Sequence, residues 1–175
     1  GKIFYIMGKS AAGKDRIYSL LAGNKELNPE ETGTVYDQTD PRGEQDGVQY
    51  YFTDDSRLEE FKKSGKLIEA RAYHTVHGIW TYFTADDGQV DLSEGNYLGI
   101  GTLESYQKLK QYYGEEHVIP VYIEVEDGER LQRALLRERE QEKPKYEEIA
   151  DVFLADQEDF SEENIREAGV KIKIC

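Results

Sequence analysis

The sequence predicts an α/β fold, doubly wound around a parallel core sheet, on three observations. A short apolar run, Ile3 to Met7, precedes a glycine-rich turn and then apolar positions at helical spacing, Ile17, Tyr18, Leu20 and Leu21. Strand-like and helix-like segments alternate again from residue 97 onward. A length of 175 residues suits one domain with a single substantial core and an inserted lobe.

Taken in order, Ile3 to Met7 is rich in β-branched and aromatic residues and is bounded by Gly8, the mark of a buried strand. The following helix starts at Asp15 and stops at Gly23-Asn24. Residues 24 to 47 are punctuated by Pro29, Gly33, Pro41, Gly43 and Gly47, with a short strand expected around Thr34 to Tyr36. VQYYFT (48 to 53) reads as a strand, DDSRLEEFKKSG (54 to 65) as a capped helix ended by Gly65, and KLIEARAYHT (66 to 75) as a strand. IWTYFTADDGQVDL (79 to 92) adds a strand and an acidic turn, so the middle section is expected to form a small mixed or antiparallel lobe.

Next come a strand at YLGIGT (97 to 102), a helix at LESYQKLKQYYG (103 to 114) and a strongly apolar strand at HVIPVYIEV (117 to 125). Pro120 cannot donate to a sheet ladder, which predicts an edge or irregular position there. Charged residues 127 to 141 and residues 146 to 160 form two further helices, and VKIKI (170 to 174) a final strand.

The formal net charge of −14 repels polyanions at long range, which argues against nucleic acid and anionic membrane surfaces as partners. No apolar run approaches the roughly 18 residues of a membrane span. Cys175 is the single cysteine, so no internal disulfide can form, and a reducing, cytoplasmic setting is the expectation. His74 and His77 are spaced like a metal pair but lack cysteine partners, and ordinary polar roles are expected of them.

Chemistry enters at GKSAAGKD. Gly8, Gly13 and Lys14 match the phosphate-cradling spacing G-x-x-x-x-G-K-[ST], with the first glycine ending a strand and the lysine opening a helix. Successive N–H groups and the positive end of the helix converge on an anion there, and Lys14 can reach outer phosphates. The last position, where a hydroxyl would meet magnesium, is Asp15. Two roles stay open for it, a direct magnesium ligand or an acidic residue favouring the helix N-terminus.

Further motifs give the loop a family context. GEQDGVQYYF (43 to 52), then LIEARAY (67 to 73) and His77-Gly78, together with the loop and an arginine-bearing helix at 130 to 140, resemble the guanylate kinase family over nearly the whole chain. The resemblance implies a P-loop NTPase-like three-layer domain with a parallel core sheet (1 to 35 and 95 to 175), an acceptor-binding lobe at about 36 to 94 and a helical lid at about 130 to 155. It implies ATP as donor, Mg2+ as cofactor and GMP as acceptor; Asp15 is the candidate Mg2+ ligand because it departs from the family's hydroxyl position while the aspartates expected after the central strand are missing. By the same resemblance Gly8, Lys9, Ser10, Ala11, Ala12, Gly13, Lys14, Asp15 and Arg16 hold ATP. Lys14, Arg137 and Arg139 are the expected catalytic residues, while Gln38, Arg42, Glu44, Tyr50, Glu69, His77 and Gly78 face the acceptor. A carboxylate at Glu69 suits guanine, which offers a ring N–H and an exocyclic amine together.

The departures are specific. Where the family reads T-T-R-x-x-R-x-G-E, residues 36 to 44 read YDQTDPRGE, so Gln38 and Pro41 occupy the arginine columns and Arg42 lies one residue away from the second. His77 replaces the family tyrosine, the aspartates expected after the central strand are GIGT (99 to 102), and a later lid arginine falls near Val152. Arg130 and Arg133 are expected on a solvated face with Glu–Arg pairs. Another phosphorylated acceptor, or a catalytically silent binding module, are the alternatives these departures raise.

Overall fold

Strand β1 (Ile3–Gly8) forms where expected, and its alternation builds the two faces of a sheet. Ile3, Tyr5 and Met7 point to one side, packing with Tyr106, Leu109, Phe160 and Ile165; Ile6 points to the other, joining Ala12, Ile17 and Leu21. The computed structural model describes residues 1–27, 30–31, 35–37, 51–52, 55–75 and 78–175, and side chains at 1–27, 56–72 and 83–175.

In chain order the remaining elements are α1 (Lys14–Ala22), β2 (Glu30–Glu31), β3 (Val35–Asp37), β4 (Tyr51–Phe52), α2 (Asp55–Ser64), β5 (Leu67–Thr75), β6 (Gly78–Ala85) and β7 (Tyr97–Ile100). They continue with α3 (Leu103–Tyr113), β8 (Val118–Ile123), α4 (Asp127–Arg139), α5 (Tyr146–Asp159), α6 (Glu162–Glu167) and β9 (Lys173–Ile174). The first sheet has the order β2-β7-β1-β8-β9 with every pairing parallel, as crossover helices on its two faces demand. The second, β4-β3-β6-β5, is mixed: β3 pairs β4 in parallel, while β6 is antiparallel to both β3 and β5. An apolar cluster of Leu58, Phe61, Phe83 and Ala85 fixes α2 on that sheet.

Pro120 does not lie on an edge, because β8 pairs with both β1 and β9. The irregular position is the outcome instead. Tyr122 and Glu124 donate their N–H groups to Ile172 and Ile174 of the β9 segment at 3.0 and 2.8 Å. By alternation the Pro120 nitrogen faces that same side, two residues before β9 pairing begins at Tyr122, so no ladder bond is lost.

Two elements go beyond the sequence reading. Helix α6 is a short turn held by the Ser161 side chain, which accepts from the Asn164 N–H, and by burial of Ile165. Strand β2 adds two residues beside β7, and β9 is two residues long where five were expected. No helix among the described residues is long and apolar enough to cross a membrane.

Phe83 is 1% exposed at the centre of the second cluster. Phe83→Ala is expected to cost about 3–5 kcal/mol in urea unfolding, in line with large-to-small substitutions in cores.

Candidate active site

The loop between β1 and α1 occupies the carboxyl edge of the parallel sheet, and its two pattern glycines have separate physical reasons. A Cβ at Gly8 would stand 2.9 Å from the Ile123 carbonyl oxygen, because β1 and β8 approach too closely for a side chain. Gly13 has φ 90°, in the left-handed region that side chains disfavour. Ala11, with φ 61°, adopts the left-handed region without being glycine.

No side chain caps α1 at Gly13 or α5 at Lys145, whereas Thr102, Glu126 and Ser161 cap α3, α4 and α6. The first N–H groups of α1 have no intrahelical partner, the donor chemistry that an anion at a helix N-terminus requires. Lys14 stands at the head of the helix, its ammonium 3.6 Å from the largely exposed Asp15 carboxylate.

A polar network joins this loop to α4 and α5. Asp156 Oδ2 accepts from the Ser10 N–H at 2.8 Å, and Lys9 Nζ donates to Gln157 Oε1 while lying 3.7 Å from Asp127. Arg130 donates to the Ser10 carbonyl at 3.0 Å and to Asp127 Oδ1 at 2.8 Å; Gln157 Nε2 donates to the other Asp127 oxygen at 2.8 Å. The Arg130 guanidinium holds the Asp127 carboxyl below the usual carboxylate range, with Gln157 and Lys9 helping and burial opposing.

Arg130 is therefore buried, at 2% exposure, and not on a solvated face as the charge pattern suggests. Arg133 does keep the expected surface pairing with Glu129, and also reaches the Ala11 carbonyl at 3.4 Å. Arg137 joins Ser10, Arg130, Val152 and Phe153 around a pocket of about 160 Å³. Arg139 lies elsewhere, lining a separate hollow with Leu135 and Tyr146. Two residues apart on a helix, Arg137 and Arg139 point about 200° apart, so one face of α4 brings Arg130, Arg133 and Arg137 to the loop.

On the other side, Glu69 of β5 is engaged by Arg71, whose Nε donates to Oε1 at 2.7 Å. Arg71 Nη2 also donates to Thr102 Oγ1 at 2.9 Å and to Ser105 Oγ at 3.2 Å, tying β5 to the start of α3. Beneath this cluster the Tyr5 phenol interacts with Ser105, and burial pushes its pKa well above the ordinary phenol value, making it a weaker acid. A Cβ at Gly101 would sit 2.1 Å from Tyr5 Oη, so the phenol fills the space of any side chain at 101.

Gly78 begins β6, opposite Thr75. Gln38, Arg42, Glu44, Tyr50 and His77, expected on the acceptor side, lie outside the described residues. Magnesium takes one or two carboxylates plus phosphate oxygens and water. Asp15, exposed in the first turn of α1 beside the loop, has the chemistry and access for that role. Among the described residues there is no group of three or more metal-ligating side chains.

Scans against protein-family models and curated proteins return no match. Among solved structures, the guanylate kinase from Anaplasma phagocytophilum is similar, with a TM-score of 0.52 and 16% sequence identity. The match covers 97% of this chain and 81% of that one. The fold is guanylate-kinase-like. It accounts for the parallel core with a loop after its first strand, and for the second sheet set beside it.

The Tyr5–Gly101 contact gives a direct test. Gly101→Ala is expected to destabilise by about 2 kcal/mol through overpacking. Tyr5→Phe should relieve part of that cost, giving a coupling of at least about 0.5 kcal/mol in a double-mutant cycle read by urea unfolding.

Proposed function

We propose that this chain is a nucleotide-kinase-like phosphotransferase that moves the γ-phosphoryl group of ATP to an acceptor phosphate, with GMP as the first-choice acceptor. The observation that carries the reading is the uncapped N-terminus of α1 behind a glycine loop, with Lys14 at its head. The donor occupies the loop from Gly8 to Arg16, the acceptor the lobe at about 36 to 94, and a lid at about 130 to 155 closes over both.

The acceptor phosphate is already ionised, so one of its oxygens attacks the γ-phosphorus without a general base. The bond from γ-phosphorus to the bridging oxygen breaks, and ADP leaves with the electron pair. Loop amides and Lys14 hold the β- and γ-phosphates, which aligns the donor and offsets charge on the leaving oxygens. Arg137, on the loop-facing side of α4, supplies charge to the transferring group. Asp15 would hold magnesium, which neutralises phosphate charge when bound. Lid closure excludes water and suppresses ATP hydrolysis.

A second reading changes the acceptor to another phosphorylated small molecule. The Arg71–Glu69 ion pair favours it, since a carboxylate engaged by guanidinium has less capacity for the N–H groups of guanine.

A coupled ADP-release assay over a panel of nucleoside monophosphates and sugar phosphates tests both. Turnover with GMP is expected, and Lys14→Ala should lower kcat/KM by about 100-fold or more. Preference for a sugar phosphate would move the assignment to the second reading. ATP binding without transfer to any acceptor would make the chain a binding module, and turnover unchanged in Lys14→Ala would refute the mechanism.

A further inference from the structure

Arg130 is the one buried charged residue among the described side chains. A guanidinium withdrawn from water is costly unless its partners hold it in a defined place. Here Asp127 anchors one nitrogen, the Phe153 ring lies 5.1 Å from the guanidinium carbon, and Nη1 is directed to the Ser10 carbonyl at 3.0 Å. A simple ion pair between α4 and α5 would need no contact with the loop backbone.

That contact matters because of the next residue. The peptide bonds are trans, so the Ser10 carbonyl and the Ala11 N–H point in opposite directions from one plane. Drawing the carbonyl toward α4 turns the Ala11 N–H away from α4. Ala11 itself holds φ 61°, a conformation glycine adopts freely and alanine does not. Its own carbonyl is met by Arg133 at 3.4 Å, and the Ala12 N–H is already bonded to the Lys9 carbonyl at 3.2 Å, so the bend is fixed from both ends.

We propose that Arg130 is a positioning residue of the phosphate loop. Through the Ser10 carbonyl it holds the Ala11 peptide in a left-handed bend that aims its N–H at a bound anion, a geometry a glycine at 11 would reach unaided. The inference rests on the phosphotransfer reading for the identity of that anion, but its claim about loop geometry concerns the ligand-free protein.

Two readouts on Arg130→Gln, Arg130→Lys and the double variant Arg130→Gln/Ala11→Gly test it. In ligand-free protein, NMR should show the Ala11 amide and methyl resonances displaced in Arg130→Gln, with amide exchange at 9–13 faster by at least tenfold. With Mg·ADP as probe, Kd should rise at least tenfold in Arg130→Gln and nearly as much in Arg130→Lys, which keeps the charge but loses the fork. Adding Ala11→Gly should restore Kd to within about threefold without restoring the melting temperature, a rescue that a merely structural role would not produce. Unchanged Ala11 resonances in a folded variant, or a double variant that binds as weakly as Arg130→Gln, would overturn the proposal. If Arg130→Gln does not fold, Arg130→Lys and its Ala11→Gly partner carry the same comparisons. If the wild-type protein binds no ADP, the phosphotransfer reading falls, and the ligand-free NMR comparison decides the loop inference.

Discussion

The site depends on one pairing arrangement, β1 held in parallel between β7 and β8. In-register pairing from Ile3↔Tyr97 and Ile3↔Val118 carries three chain segments to the same edge of the sheet. The glycine loop leaves β1 there, the Gly101-Thr102 turn leaves β7, and Glu124 to Asp127 leave β8. The approach of Gly8 to the Ile123 carbonyl sets where the loop begins, and Asp127 at the head of α4 sets where α4 attaches. Ligand sites of open parallel sheets form at this edge for the same reason.

Electrostatics at that edge run against the whole-chain charge. The chain carries 36 acidic and 22 basic residues, yet Lys9, Lys14, Arg130, Arg133 and Arg137 gather around or beside the loop. Asp15, Asp127, Asp156 and Glu129 pair with several of them, so the local charge is near balance, and with a screening length of about 8 Å at physiological salt that local balance outweighs the remaining, distant acids. Asp127 and Asp156 balance the buried Arg130, so α4 and α5 carry its counter-ions.

The core of the fold was legible because its signals are local. Apolar runs, helical spacing and glycine stops gave β1, α1, α3, β8, α4 and α5 close to their observed bounds. Helix α6 was missed because its six residues are mostly charged and one buried Ile165 is too little periodicity to read. Arg130 was misjudged because α4 carries charge all round, and only the i, i+3, i+7 spacing of Arg130, Arg133 and Arg137 hinted at a common face. Glu69 and Arg71 are two apart on a strand and so share a face, a relation that alternation alone could have supplied. Tyr5 against Gly101 depends on register between β1 and β7, which no local pattern encodes.

The central claim is that the backbone of the glycine loop and the head of α1 form a phosphate cradle. An 15N NMR titration of the folded chain with Mg·ADP tests it most directly. The account predicts saturable shifts largest at the amides of Gly13, Lys14 and Asp15. Shifts that never saturate, or that centre on residues away from the loop, would contradict it.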